Sequence, residues 1–280
     1  MKSRTLAAKI VLSSIGVLSI GVSGLPIHAN ENSTSTETEI LVLRKQAEGG
    51  NPKFQDLLGK ALRDGKNVNR NYVEAALWFR KAANQGYAPG KAHLGGLYME
   101  GLGVPKDEKE ALKWFRLAAK QSDPDGQRCL GYCYKDGLAG IRKDSAEAAR
   151  LFRMAAEQGN AIAEVNLGTC YSKGEGIKKD DSEAVKWFRK AAEQDDPRGL
   201  NNLGTCYFKG QGVPKDQREA AKWWSKAAEQ GNAAAQTNLG CAYLNGEGVT
   251  KNVDEGIRLL QKSAEQGNET AKSILKTLGH

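Results

Sequence analysis

Few residues in this chain have the types and spacing that catalysis or metal binding requires. Its three histidines, His28, His93 and His280, lie far apart in the sequence, so we predict no metal site. One Ser-x-x-Lys string, from Ser273 to Lys276, has the spacing of the nucleophile and lysine of β-lactamases. Its companion motifs, S-D-N and K-T-G, are missing. The G-x-G strings lack phosphate-binding spacing, so we expect neither catalysis nor a cofactor.

The charge balance is mildly basic, with 41 Lys and Arg residues against 33 Asp and Glu residues and a formal net charge of +8. Basic residues are interspersed with acidic ones along the chain. Nucleic-acid binding instead requires basic residues clustered on one surface. We therefore expect no nucleic-acid partner.

One pattern recurs six times, and its most regular mark is a Leu-Gly pair. The pairs follow at spacings of 36 or 37 residues: Leu58-Gly59, Leu94-Gly95, Leu130-Gly131, Leu167-Gly168, Leu203-Gly204 and Leu239-Gly240. A fixed period of this length indicates stacked structural repeats. Tyr207 lies four positions after Leu203 and shares its helix face, which predicts an amphipathic helix A in each repeat. Glycine inside a helix costs about 1 kcal/mol relative to alanine, so we predict that a second helix packs closely against it.

That second helix, helix B, begins after a glycine suited to end helix A. A capping box marks its start, and each N-cap contributes about 1 kcal/mol. The six boxes are Asn71/Glu74, Asp107/Glu110, Asp144/Glu147, Asp180/Glu183, Asp216/Glu219 and Asn252/Glu255. A bulky pair such as Trp187-Phe188 is followed by a small pair such as Ala191-Ala192. Large residues against small ones predict interdigitating helices, so we assign the five Trp residues to the core.

These helices predict one elongated domain over residues 39–280. The predicted repeats are 52–87, 88–123, 124–160, 161–196, 197–232 and 233–268. Leu41 precedes Leu77 by the repeat period, and Leu275 follows Leu239 by it. We therefore predict a single capping helix at each end, within 39–51 and 269–280, because a solenoid must cover its terminal apolar faces.

The repeat pattern resembles that of the Sel1-like repeat family, a relative of the tetratricopeptide repeat. The resemblance rests on the frame A-x-x-x-x-x-L-G-x-x-Y-x-x-G-x-G-V-x-x-D followed by A-x-x-W-[FW]-x-K-A-A-x-Q-G, which covers residues 52–268. It implies an all-α fold, a right-handed superhelical solenoid of stacked antiparallel helix pairs. It also implies an adaptor or scaffold that binds proteins or peptides without catalysis. Some members carry a β-lactamase label, so the alternative is a weak hydrolase or a binder of cell-wall ligands.

The five cysteines, Cys129, Cys133, Cys170, Cys206 and Cys241, all lie in predicted helices A. Equivalent helices of neighbouring repeats are about 8–10 Å apart, which is beyond the reach of a disulfide. We therefore predict buried apolar thiols, although the odd number leaves an intermolecular disulfide open. A cysteine-rich subgroup of the family joins helix A to helix B by disulfides, and this sequence departs from that pattern.

The face of helix A that turns away from the core predicts a peptide groove, because this face is concave in tetratricopeptide-like stacks. Asparagine amides suit an extended peptide backbone, and arginines attract carboxylates. The alternative is that the asparagines bond the neighbouring repeat. The predicted groove residues are Arg128, Tyr132, Lys135, Asn166, Thr169, Arg198, Asn201, Asn202, Thr205, Phe208 and Asn238.

The first residues predict export. Lys2, Arg4 and Lys9 precede an apolar stretch that ends near Leu25, and Ala29 offers a small residue for cleavage, as in a secretory signal peptide over residues 1–29. The apolar stretch is short and interrupted by glycines, which favours cleavage over a membrane anchor. We predict a polar linker over 30–38 and a secreted or periplasmic protein without stable membrane insertion.

Overall fold

The computed structural model describes residues 31–279, and every regular element in that range is helical. In chain order the helices are α1 Glu31–Glu48, α2 Pro52–Asp64, α3 Tyr72–Asn84, α4 Ala88–Glu100, α5 Glu108–Lys120, α6 Pro124–Asp136, α7 Ser145–Ala156, α8 Ala161–Lys173, α9 Asp181–Glu193, α10 Pro197–Lys209, α11 Gln217–Glu229, α12 Ala233–Asn245, α13 Val253–Glu265 and α14 Glu269–Leu278. One 3-10 turn, Leu138–Gly140, lies between α6 and α7. The predicted all-α solenoid is confirmed. The predicted signal peptide lies outside the described residues.

Each helix packs against the helix before it and the helix after it. Even-numbered helices from α2 to α12 are helices A, and odd-numbered helices from α3 to α13 are helices B. The single helices α1 and α14 pack on the two ends of the stack, where Ala47 and Leu275 are buried. Between residues 31 and 279 no helix is both long and apolar enough to cross a membrane.

The glycine of each Leu-Gly pair is the point where helix B comes closest to helix A. A Cβ atom added at Gly59 would lie 2.6 Å from Cε1 of Phe79, and one added at Gly204 would lie 2.7 Å from Cδ1 of Trp224. Both distances are shorter than any relaxed carbon–carbon contact. The predicted close approach is confirmed, and the partner is the second residue of the bulky pair on helix B.

Helix B begins at the predicted Asn or Asp, but only half of the predicted capping box forms. Oδ1 of Asp180 accepts a hydrogen bond from the backbone N–H of Glu183 at 2.9 Å. The backbone N–H of Asp180 donates instead to the carbonyl of Tyr171 near the end of α8. The Glu183 carboxylate pairs with Lys186. The predicted bond from the Asp180 N–H to the Glu183 carboxylate was therefore wrong. The Tyr171 carbonyl, at the end of helix A, also lacks an intrahelical partner, and it accepts this N–H instead.

The loop between helices A and B sets the spacing of the repeats. Gly176 has a φ of +71°, and a Cβ atom there would lie 1.9 Å from the carbonyl oxygen of Ser145, the first residue of the preceding helix B. Gly103, Gly212 and Gly248 approach the preceding helix B in the same way. The third repeat has one extra residue: Ala139 takes a positive φ, and a Cβ atom at Gly140 would meet nothing within 4 Å.

Residues 31–38, predicted as a polar linker, are helical and form the first turns of α1. The apolar residues that pack against the first repeat begin later, at Leu43 and Ala47. Once the turns around Leu43 and Ala47 are helical, each residue added upstream makes one further backbone hydrogen bond and needs no new helix nucleus. Polar composition therefore does not stop the helix at residue 39.

Candidate peptide-binding groove

The predicted groove residues lie on helices A. Neighbouring helices A contact one another directly, α4 with α2 and α6, and α10 with α8. Within residues 31–279 no comparably close pairing joins neighbouring helices B, so helices A lie closer together than helices B, as on the inner face of a curved stack. By helix, the residues are Arg128, Tyr132 and Lys135 on α6, Asn166 and Thr169 on α8, Arg198, Asn201, Asn202, Thr205 and Phe208 on α10, and Asn238 on α12.

Two of the three asparagines that precede a Leu-Gly pair join neighbouring repeats. Nδ2 of Asn166 donates to the Tyr132 hydroxyl at 2.8 Å, and Nδ2 of Asn238 donates to Oδ1 of Asn201 at 2.9 Å. These bonds match the alternative interpretation rather than ligand binding. Asn202 differs: its Oδ1 accepts from Asn201 at 3.4 Å, and in the described part of the chain its Nδ2 has no hydrogen-bond partner.

A buried pair joins the first two repeats at the same level of the stack, and sequence reasoning missed it. Nδ1 of His93 is 2.7 Å from Oδ1 of Asp56. The exposed fractions of these side chains are 12% and 5%, and the His93 ring lies 5.0 Å from that of Phe79. Aligning the repeats places His93 with Asn238 and Asp56 with Asn201. The equivalent pair Asn238 and Asn201 is also hydrogen-bonded, so the alignment of the repeats could have predicted this contact.

The two groove arginines pair with acids near the start of their own helices. Nη2 of Arg128 is 3.1 Å from Oδ1 of Asp125, which also accepts from Nδ2 of Asn160 at 3.1 Å. Burial acts to raise the pKa of Asp125, but Arg128 and Asn160 outweigh it and hold that pKa below its usual value. Arg198 is exposed and pairs with Asp196 at 2.6 Å. Exposed ion pairs contribute little stability, so Arg198 is the cation best able to change partners.

Phe208 packs away from the groove. Its ring lies 5.2 Å from that of Trp224 on helix B of the same repeat. Phe208 follows Gly204 by four residues, so the two share a helix face, and that face turns toward helix B. The prediction that Phe208 faces a ligand is corrected for this reason.

The remaining predicted residues are partly buried. The hydroxyls of Thr169 and Thr205 donate to carbonyls one turn earlier, at 2.8 and 3.0 Å. The Tyr132 ring meets the edge of the Phe152 ring at 5.3 Å, and Nζ of Lys135 lies 5.8 Å from the Tyr132 ring centre. Among these side chains the Thr205 hydroxyl oxygen can still accept a hydrogen bond.

All five cysteines are free thiols on helices A. Burial raises the pKa of Cys133 to about 12 and those of Cys170 and Cys206 to about 11. These thiols are therefore protonated at neutral pH and are poor nucleophiles. They pack as small apolar side chains in the core.

Ser273 and Lys276 are exposed on α14, the single helix at the end of the stack. A serine nucleophile needs a base within hydrogen-bond reach and donors around a pocket; within residues 31–279 the Ser273 hydroxyl has no hydrogen-bond partner. Residues 31–279 also contain no group of three or more His, Cys, Asp or Glu residues that could hold a metal ion.

Comparison with known protein families finds the same six repeats that the sequence period predicts. A model of the Sel1 repeat matches residues 52–87, 88–123, 124–160, 161–196, 197–232 and 233–268. None of the curated proteins matches the chain significantly.

Two solved structures share both the fold and a substantial part of the sequence. A Sel1 repeat protein from Oxalobacter formigenes is 31% identical, with a TM-score of 0.69 over 84% of this chain and 97% of that one. A protective antigen present in uropathogenic Escherichia coli strains, which displays an SLR fold, is 38% identical with a TM-score of 0.66 over 83% of this chain. This chain spans 50% of the length of that antigen.

A third solved structure resembles the chain in fold alone. It is an immunity protein from Pseudomonas aeruginosa, 18% identical, with a TM-score of 0.50 over 86% of this chain and 84% of that one.

Proposed function

The chain belongs to the Sel1 repeat family, and from this premise we propose that it is an exported adaptor that binds a protein or peptide on the concave face of its helices A. Repeat solenoids of this kind are scaffolds suited to protein–protein interaction and are generally non-catalytic. Their stacked repeats provide an extended concave surface for a partner.

The observation that supports this face most directly is the difference between Asn202 and its equivalents. Asn166 and Asn238 use their Nδ2 atoms to bond the preceding helix A, whereas Asn202 has an Nδ2 without a partner among the described residues. The exposed Arg198 lies one helical turn before it, and the Thr205 hydroxyl lies one turn after it. A donor amide, a cation and an acceptor along α10 suit a peptide backbone and a carboxylate.

Site-specific photo-cross-linking tests this proposal and identifies the partner at once. A photoreactive residue at position 205 should capture the partner in the native cell, whereas one at position 222, on the outer face of α11, should not. Within residues 31–279 Lys222 is exposed and pairs only with Glu219, so position 222 is a matched surface control. Capture from position 222 alone would place the interaction on helices B.

Once the partner is known, Arg198→Ala with Asn202→Ala should weaken its binding at least tenfold, about 1.4 kcal/mol. The melting temperature should change little, because within residues 31–279 Arg198 pairs with Asp196 at the start of its own helix and neither side chain bonds another repeat. Isothermal titration calorimetry measures the affinity, with Lys222→Ala as the control. Unchanged affinity in the double variant would overturn the groove on α10.

Export is part of the same proposal and rests on the basic and apolar residues within 1–29. Amino-terminal sequencing of the protein purified from its native host should find a mature chain that begins at Asn30. An intact Met1 in a cytosolic fraction would contradict export.

Hydrolysis of a chromogenic β-lactam, with Ser273→Ala as the control, tests the proposal that the protein is not a catalyst. Turnover by the wild type that is lost in Ser273→Ala would contradict that proposal.

A further inference from the structure

A basic cavity lies between the second and third repeats, beside the loop that connects α6 to α7. It has a volume of about 670 Å³ and is lined by Arg116 of α5, Tyr134 of α6 and the segment from Ile141 to Ser145. Arg116, Arg142 and Lys143 are all exposed. Three cations therefore border one cavity, which none of the predicted groove residues lines.

Arg116 and Tyr134 lack a hydrogen bond that recurs between other repeats. An arginine of helix B donates to the tyrosine hydroxyl of the next helix A in three places: Arg80 to Tyr98, Arg153 to Tyr171 and Arg189 to Tyr207. The last two bonds measure 2.8 and 2.9 Å. Arg116 and Tyr134 occupy the equivalent positions, but no bond joins them in the part of the chain that the structure describes. Both polar groups face the cavity instead.

Lys143 also lacks the acid that two of its equivalents, Lys106 and Lys179, use. Lys106 pairs with Glu108 at 3.0 Å and Lys179 pairs with Asp181 at 3.4 Å. In the third repeat the residue two positions after the lysine is Ser145, and Lys143 makes no ion pair within residues 31–279. Neither does Arg142.

The extra residue of the third repeat changes the loop beside the cavity. It lengthens the loop, and the backbone N–H of Ala139 donates to Oε2 of Glu108 at 3.3 Å. Gly140 makes no close approach, unlike Gly176 at the equivalent place in the fourth repeat. The longer loop thus follows a different path to Asp144 from that of the other repeats.

The charge around the cavity is strongly positive. Its one acidic lining residue, Asp144, already accepts the backbone N–H of Glu147 as the N-cap of α7. Two acids on the adjoining helices α7 and α5 are paired, Glu147 with Arg150 at 2.7 Å and Glu108 with Lys106. We propose that this cavity binds a tetrahedral oxyanion, a phosphate or sulfate group. The guanidinium groups of Arg116 and Arg142, the Lys143 ammonium and the Tyr134 hydroxyl supply donors suited to its oxygens.

Calorimetric titration of the purified protein with inorganic phosphate, and separately with inorganic sulfate, tests the proposal. Chloride at the same ionic strength is the reference for unspecific screening. Saturable binding of either oxyanion, and none of chloride, is expected. Binding that is equal in chloride, or no binding of either oxyanion, overturns the proposal. A preference for one oxyanion identifies which of the two groups the cavity takes.

Arg116→Gln with Arg142→Gln should weaken oxyanion binding at least tenfold. Arg153→Gln with Lys178→Gln is the matched control, because it removes the same two charges at the equivalent positions one repeat later. Deleting Ala139, which restores the shorter loop, should also abolish binding; its melting curve shows whether it is folded. Equal weakening in the control pair would mean that the cavity is not the site.

Discussion

At the scale of single residues, Glu164 is a buried acid where three other repeats have a glutamine. Gln127 and Gln236 occupy the same register and accept a hydrogen bond from Gln158 and Gln266 at 2.8 Å. Glu164 accepts the same bond from Gln194 at 2.8 Å, and its exposed fraction is 3%. Burial raises the pKa of Glu164, because a carboxylate loses more hydration than a neutral amide does.

Glu164→Gln should therefore stabilise the protein by about 1 kcal/mol at pH 7, since it keeps the hydrogen bond and removes the buried charge. That gain corresponds to about 2–4 °C in the melting temperature. A group with a raised folded pKa contributes full stability below its unfolded pKa and loses it as pH rises through the folded pKa. The advantage of the variant should thus disappear toward pH 4.

Thermal melts from pH 4 to pH 8 measure this difference. The converse substitution, Gln127→Glu, should reproduce the loss at neutral pH in the third repeat. A variant less stable than the wild type at pH 7 would show that the carboxylate is stabilised by a contact that glutamine cannot make.

At the scale of one helix, α4 contains two adjacent glycines with opposite surroundings. A Cβ atom added at Gly95 would lie 2.7 Å from Cε1 of Phe115, whereas one added at Gly96 would meet nothing within 4 Å. Gly95 is the glycine of a Leu-Gly pair, and Gly96 is not. Substitutions at these two positions therefore distinguish the effect of glycine on helix packing from its effect on helix propensity.

Gly95→Ala should destabilise the protein by about 1–3 kcal/mol, because the methyl group forces helix A away from helix B. Gly96→Ala should stabilise it by up to about 1 kcal/mol through improved helix propensity. Urea denaturation followed by circular dichroism compares the two variants. A gain in stability from Gly95→Ala would mean that the helices can separate at little cost.

At the scale of the whole molecule, α1 covers the first repeat. Arg44 pairs with Glu74 across α1 and α3, and Nε2 of Gln55 donates to the carbonyl of Ala47 at 3.2 Å. Stability in a solenoid is a sum of repeats and the interfaces between them. Loss of one terminal interface should therefore affect the adjacent repeats first.

A chain that begins at residue 51 should melt about 5 °C or more below one that begins at residue 39, with a broader transition and most of its helical circular dichroism. The chain from residue 39 is the control, because it lacks residues 1–38 as the shorter chain does but keeps Arg44 and Ala47. Identical melting curves for the two chains would show that α1 adds no stability.

The sequence by itself determined the features that depend on local periodicity. Leu203 and Tyr207 share a helix face at the helical repeat, Gly204 must meet a helix, and Asp180 caps one; each follows from residues close together in the chain. The period of 36 residues then repeats that result along the stack. The helices, the loops and the family were predictable for this reason.

Only the tertiary structure decided which side chains meet across repeats. Asn166 and Asn202 occupy one register, yet Asn166 bonds Tyr132 while the amide nitrogen of Asn202 lacks a partner in residues 31–279. The Asp56–His93 pair and the missing bond between Arg116 and Tyr134 likewise concern residues that belong to two different repeats. Such contacts depend on the rotation and offset between neighbouring repeats. Periodicity places residues on a face, but the packing of one repeat on the next determines what that face touches.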